Sequence, residues 1–372
     1  MLEIQTRTVE LKGTSYEIGY QFGEMIDKIP TLRAMHTAGK EGFGQEQAEE
    51  AARLFDRWCP GLTQELCGFA DALKIKAEQV FFYSMTYLQP RCSQIGMLPS
   101  LTREGKPLLS RSYEFSHEAE DFCLVKASVA GKYTHMGTSV LNFGRDDGFN
   151  EHGLAVTMSS CGFPVGALSY MRAPKITGLQ FWVVIRALLE NCRDVKEALE
   201  YLKGMPIAYN LNMILMDKEG EAALVETLDG LMAVKHIGPD SGAQMLYATN
   251  HAVLPELKNI EPKVMAHSLR RYEYIKEQLE GRRDITKDQL KEMLLSKYPN
   301  GLCCHYFEEY FGTTKSMVIS PADGTIDICW GGRKENGWHT YDISKPLVSG
   351  MKAVQINLEK ADPGTYAWQQ AE

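Results

Sequence analysis

No stretch of this sequence is apolar for the roughly 18–20 residues that a bilayer-spanning helix requires. The longest approach, Leu179 to Leu189, is broken by Gln180 and Arg186. The opening residues, Met1 to Arg7, show no basic segment leading into an apolar one, which argues against a secretory signal and predicts a cytoplasmic protein. No basic tract stands out either. The 40 Lys and Arg are interspersed with 48 Asp and Glu for a net charge of −8, so neither nucleic acid nor a membrane is an expected partner. No C-x-x-C pair and no histidine pair at ligand spacing is present, so neither a metal nor another cofactor is expected.

What is present is an ordinary globular composition, 44% hydrophobic and 24% charged over 372 residues, enough for one large domain or two modest ones. The nine cysteines are odd in number and irregularly spaced, which reads as free thiols. The adjacent Cys303 and Cys304 read as two small buried thiols.

The first ninety residues differ from the rest. After a β-like opening (Ile4 to Leu11), Thr14-Ser15-Tyr16-Glu17 has the form of a capping box. Ile18, Phe22, Met25, Ile26 and Ile29 then recur at helical spacing until Pro30 stops the run. Three more amphipathic runs follow, around Ala48 to Trp58, Leu62 to Leu73 and Ala77 to Leu88. From Cys92 the pattern turns to strands: 107–115, 122–130, 134–141 and 154–160. Helices are expected at 178–192 and 194–203, strands at 210–216, 221–227, 231–235 and 245–248, and helices again near 263–279 and 287–296. A last hairpin turns at Asp323-Gly324. Strands grouped with strands, and helices with helices, argue for an α+β fold with packed sheets and outer helices, not alternating β-α-β units. The division is a mainly helical leader, residues 1–91, and a body, residues 92–372.

Composition cannot choose a nucleophile, but position offers a clue: Cys92 sits where the helical leader meets the β-rich body. Ser110-Arg111-Ser112-Tyr113-Glu114-Phe115 follows as a strand with a cation and a carboxylate three residues apart, a spacing that sends them to opposite faces unless a bulge or strand end brings them together. Cys92 followed by Arg111-x-x-Glu114 resembles the opening of the choloylglycine hydrolases and penicillin V acylases, which start at a catalytic cysteine and carry R-x-x-D on the next strand. The leader, with Gly13-Thr14-Ser15-Tyr16-Glu17-Ile18-Gly19, is more similar to the related isopenicillin N acyltransferase family. Gly148-x-Asn150-x-x-Gly153-x-Ala155-Val156 resembles a strand entry of both groups. Thr249-Asn250-His251 and the helix start Ser268-x-x-Arg271 resemble later elements of the acyltransferase group.

The resemblance implies a four-layer αββα sandwich of the N-terminal-nucleophile hydrolases and amide-bond chemistry on small, non-peptide N-acyl amides. It implies cleavage at Arg91–Cys92 and Cys92 as nucleophile. It further implies Glu114 as the carboxylate holding the new α-amino group, Arg111 near the thiol, Asn250 as oxyanion-hole amide and Arg271 as a supporting arginine. The backbone N–H of Ser160 is a second oxyanion donor on this reading, and a homo-oligomer stays open. The chemistry is self-consistent: a free thiol has a pKa of about 8.5 and a free α-amine about 7.7–8.0, so the freed amine can take the thiol proton.

Three positions depart from the family pattern. Glu114 stands for Asp, Arg91 for the glycine common before the cysteine, and Ser159-Ser160 where relatives place an asparagine. Arg91 motivates an alternative, an uncut binding protein on the same fold. A third reading uses His251 as base on an unprocessed chain. Taken singly, each residue also has a plain reading: Cys92 a buried thiol, Arg111 and Glu114 a surface ion pair, Asn250 a turn residue, Arg271 part of a solvated helix face.

Overall fold

The computed structural model describes residues 1–38, 43–166 and 171–370. Two sheets stack face to face between two layers of helices, an α+β architecture of four layers. Across the longer sheet the strands run Leu231–Ile237, Ala222–Leu228, Leu211–Met216, Ala155–Ser160, Asp147–Asn150, His135–Val140, Cys123–Val129, Leu2–Gly13 and Gly350–Ile356. The shorter one runs Met245–Ala248, Arg91–Met97, Leu108–Phe115, Phe311–Ser320, Thr325–Trp330 and His339–Asp342. Between them lies an apolar layer, with Leu109, Met317, Ile319 and Ile328 from one side meeting Leu124, Phe149, Ile214 and Met216 from the other. Fully burying such side chains contributes roughly 1.5–3 kcal/mol each.

Residues 1–91 take part in two layers. Leu2–Gly13 lies inside the longer sheet, parallel to Cys123–Val129 and antiparallel to Gly350–Ile356. The helices Ser15–Asp27, Gln45–Trp58 and Leu62–Leu73 join Phe181–Asn191 on the outer face, burying Phe22, Phe55, Phe69 and Trp182 in one cluster. Two of these helices approach closely because glycines meet there. A Cβ on Gly19 would lie 1.9 Å from the Glu65 carbonyl oxygen, and one on Gly68 would lie 2.2 Å from that of Tyr16. A buried ion pair crosses the same layer: Arg186 donates from Nη1 to Glu65 Oε1 (2.7 Å) and from Nε to Glu190 Oε1 (2.7 Å). On the opposite face, Ala266–Leu279 and Lys287–Leu295 cover the shorter sheet, with Ile275, Leu279, Leu290 and Leu294 against Ile95 and Val318.

The capping box at Thr14 is present, with Thr14 N–H donating to Glu17 Oε2 at 2.7 Å. The Asp323-Gly324 turn does join the last long hairpin. The first helix ends at Asp27, ahead of Pro30 as expected, and Pro30 also opens the next one, Pro30–Thr37, at a first-turn position where its missing N–H costs nothing. The run expected as helix to Leu88 is helical only to Phe81, then a single tighter turn to Met85. The strand Arg91–Met97 was not foreseen. All but its first residue are buried, so it carries no polar-apolar alternation to read.

Candidate active site

The site starts from the pairing of Arg91–Met97 with Leu108–Phe115, whose register sets Cys92 opposite Tyr113, Gln94 opposite Arg111 and Arg91 opposite Glu114. Residues directly opposite share a face and successive residues alternate. Cys92, Gln94, Arg111 and Tyr113 therefore face the other sheet, while Arg91, Ser93 and Glu114 face the helix Ala266–Leu279. Arg111 and Glu114 lie on opposite faces, as their spacing predicts, and both are fully buried.

On the inner face, Arg111 Nη2 donates to Cys92 Sγ at 3.2 Å and also reaches Met158 Sδ at 3.3 Å. Its Nη1 is anchored on the longer sheet, donating to Asp147 Oδ2 (2.8 Å) and the Asp146 carbonyl (2.6 Å). Asp147 in turn accepts from the Thr138 N–H (3.0 Å). Beside this pair, buried Lys315 donates to Asp146 Oδ2 (2.8 Å) and Glu120 Oε1 (2.9 Å), with its ammonium 4.0 Å from the Tyr113 ring centre. Burial, only partly opposed by Arg111, pushes the Cys92 thiol up to about 12.

On the outer face, Arg271 is the hub. Its Nη1 donates to Ser93 Oγ (2.9 Å) and Glu114 Oε2 (3.3 Å), and its Nη2 to Asn250 Oδ1 (2.7 Å). Nη2 also lies 2.9 Å from His267 Nδ1, which must accept because a guanidinium only donates. Thr313 Oγ1 donates to Glu114 Oε1 at 3.0 Å. Burial, against the pull of Arg271, raises the Glu114 carboxyl to about 7. Arg271 is fully buried, whereas its neighbour Arg270 sits on the exposed side with Glu277.

Asn250 joins the two faces. Its Oδ1 accepts from the Cys92 backbone N–H (3.3 Å), and its Nδ2 donates to the Ser160 carbonyl (2.9 Å) and to Ser160 Oγ (3.1 Å). The amide orientation follows from its neighbours, since both Cys92 N–H and Arg271 require an oxygen. The contact at the Cys92 nitrogen is thus Asn250, with Glu114 linked to it through Arg271. Ser160 Oγ donates to the Pro90 carbonyl at 2.6 Å. A cavity of about 20 Å³ lies beside Asn250 and Ser160, walled by Gln89 and Arg91 at the leader's end.

The Asn250 turn is clamped from below. Asn212 Nδ2 donates to the carbonyls on either side of Asn250, those of Thr249 (2.9 Å) and His251 (3.0 Å), while Ser268 Oγ accepts from Asn250 N–H at 2.8 Å. His251 is spent on structure: its Nδ1 lies 2.8 Å from Ser268 Oγ, its ring meets Tyr272, and burial followed by the nearby Arg271 lowers it to about 4. Cys303 and Cys304 are buried and unpaired by disulfide.

The structure therefore brings Cys92, Arg111, Asn250, Ser160, Arg271 and Glu114 into one connected set. Sequence reasoning passed over Asp146, Asp147, Lys315, Asn212 and His267. The consecutive carboxylates at 146 and 147, where the short strands Gly144–Arg145 and Asp147–Asn150 meet, were the available signal. Among the described residues no cluster of His, Cys, Asp and Glu has the form of a metal site, and no helix is long and apolar enough to cross a membrane.

No curated protein sequence matches the chain at a significant level. Similar solved structures include a mutant of the conjugated bile acid hydrolase from Clostridium perfringens, 13% identical, covering 72% of this chain and 98% of that one with a TM-score of 0.45. Penicillin V acylase from Agrobacterium tumefaciens is 15% identical over 74% of this chain and 99% of its own, TM-score 0.43. The Caenorhabditis elegans ortholog of N-acylethanolamine-hydrolyzing acid amidase is 18% identical over 62% and 93%, TM-score 0.43. A family match covers residues 101–335, which include Arg111, Glu114, Asn250 and Arg271 but begin after Cys92. On that match, the chain belongs to the acyl-coenzyme A:6-aminopenicillanic acid acyl-transferase family.

Proposed function

We propose that the protein is a cysteine N-terminal-nucleophile amidohydrolase or acyltransferase for small, non-peptide N-acyl amides, made active by cutting its own Arg91–Cys92 bond. The observation that carries this reading is the double engagement of one residue: Arg111 on the Cys92 sulfur and Asn250 on the Cys92 nitrogen, at 3.2 and 3.3 Å.

Cleavage begins with Cys92 Sγ attacking the Arg91 carbonyl carbon. The S–C bond forms, the C–N bond breaks, and the thiol proton ends on the Cys92 nitrogen. Water then hydrolyses the thioester to an Arg91 carboxylate and a thiol. The freed α-amine, which ordinarily titrates at about 7.7–8.0, becomes the base that takes the thiol proton in later turnovers. Asn250 Oδ1 already accepts from that nitrogen and would orient it. Displacing the cut end, which walls the cavity beside Ser160 and Asn250, would open the space where an oxyanion forms. An N–H donor lost there typically costs roughly 100- to 1000-fold in rate. Attack on a substrate amide gives an acyl-Cys92 thioester and a free amine, and water or a second amine then takes the acyl group.

Intact mass and N-terminal sequencing of the purified protein, beside a Cys92→Ala variant, test the reading. Two fragments beginning at Met1 and Cys92, with the variant uncut, are expected. One intact chain in both preparations would remove self-cleavage and favour an uncut acyl-amide binding protein.

A further inference from the structure

The side chain of Arg91 has a built seat. Its Nη1 donates to the Tyr310 carbonyl at 3.2 Å, and its guanidinium carbon lies 5.8 Å from the centre of the Phe311 ring and 5.6 Å from that of Tyr366. Arg271 already places its guanidinium carbon 5.1 Å from the same Phe311 ring, so the Tyr366 face and the Tyr310 carbonyl are the groups that favour a cation over a neutral group in this seat. Phe311 is fully buried and opens the strand beside Glu114, while Tyr366 lies beyond the family-matched residues. The strand Trp368–Gln370 that follows Tyr366 pairs with Lys263–Met265, just ahead of the helix that carries Arg271. This pairing sets the seat beside the site.

Self-cleavage and substrate turnover pass through the same kind of bond. In the first, the Arg91 acyl group is carried on Cys92 Sγ as a thioester. In the second, the substrate's acyl group is carried on the same sulfur after its amine has left. Whatever recognises the Arg91 side chain in the first thioester faces the acyl chain in the second, once the cut leader end has moved out. Resting on the nucleophile reading above, we infer that the cradle of Tyr310, Phe311 and Tyr366 is the acyl subsite, and that it selects acyl groups ending in a guanidinium or ammonium at about the reach of an arginine side chain. The substrates are then amides of ω-guanidino or ω-amino acids, cleaved to the free acid or passed as acyl donors to an amine.

The test uses the cleaved protein with two anilides of equal shape, δ-guanidinovaleryl and its neutral isostere δ-ureidovaleryl. A cation over aromatic rings is expected to give the guanidino compound a kcat/KM advantage of about tenfold. Tyr366→Leu should collapse that ratio toward one, and Tyr366→Phe, which keeps the aromatic face, should preserve it. The same pair of compounds is tested for protecting Cys92 from iodoacetamide, a readout that does not require turnover. Preferential protection by the guanidino compound supports the subsite even if neither anilide is cut, which would count against the amidase reading alone. Equal turnover of both compounds, or equal protection where neither is cut, overturns the inference, as does an unchanged ratio in Tyr366→Leu.

Discussion

Arg111 donates from Nη2 to Cys92 Sγ while its other terminal nitrogen is fixed on Asp147 in the facing sheet, so the cation beside the Cys92 sulfur is positioned by a strand that does not carry Cys92. The contact is a property of how the two sheets stack. It also ties reactivity to stability, because Arg111 and Asp147 are both fully buried.

Arg111→Met should therefore be costly twice. Leaving a buried carboxylate without its partner typically costs about 3–5 kcal/mol. The Cys92 thiol, already pushed up to about 12, would lose the cation that hydrogen-bonds it. Urea denaturation should show the loss of stability, and mass-resolved alkylation of Cys92 against pH should show its midpoint move further up. An unchanged alkylation profile in a folded variant would mean that Arg111 does not act on the sulfur.

Glu114 gives a pH dependence with a definite sign. Its carboxyl is raised to about 7 by burial, with Arg271 pulling the other way. A carboxyl raised on folding contributes stability fully below its unfolded pKa and loses it as pH rises through the folded value. The stability of the wild type relative to Glu114→Gln should accordingly fall between about pH 4.5 and 7. Urea midpoints of the two proteins across that range check it. Parallel curves would show that Glu114 titrates normally. The comparison must be between variants, because buried His251 and His267 contribute with the opposite sign.

Much of this was legible in the chain, and the failures have physical causes. The capping box at Thr14 and the turn at Asp323-Gly324 depend on local chemistry, and they stand where read. The opposite faces of Arg111 and Glu114 follow from strand geometry alone. Asp146, Asp147 and Lys315 were passed over because a charged residue paired across two sheets looks, in sequence, like one facing water. Arg270 and Arg271 are adjacent and identical in type, and only the packing of their helix separates the solvated one from the buried one. His251 drew attention as a possible base by residue type, and in the fold its Nδ1 lies against Ser268 and its ring against Tyr272, contacts that residue type alone does not reveal.

The leader's place in the fold predicts what cleavage would release. Leu2–Gly13 is hydrogen-bonded on both edges, and Glu65 is held by buried Arg186. After cutting at Arg91–Cys92 the two fragments should co-elute on gel filtration and separate only in denaturant. Glu65→Ala, which leaves buried Arg186 with Glu190 as its remaining carboxylate partner, should cost about 1.5–3 kcal/mol. Fragments that part under native conditions would show that the leader strand is dispensable once the body has folded.

The last prediction concerns the Asn250 turn. Asn212 Nδ2 donates to the Thr249 and His251 carbonyls and so fixes the backbone on both sides of Asn250. Asn212→Asp keeps the shape but replaces the donor with an oxygen facing two carbonyl oxygens, so the turn must shift. On the proposed role of Asn250 as oxyanion donor, its displacement should reduce kcat by about 100-fold with little change in KM, because the loss falls on the transition state. Self-cleavage should slow in parallel, since the same amide engages the Cys92 nitrogen. A variant that melts as the wild type does, with kcat and cleavage rate intact, would show that Asn250 is positioned by Arg271 and Ser268 without help from the strand below.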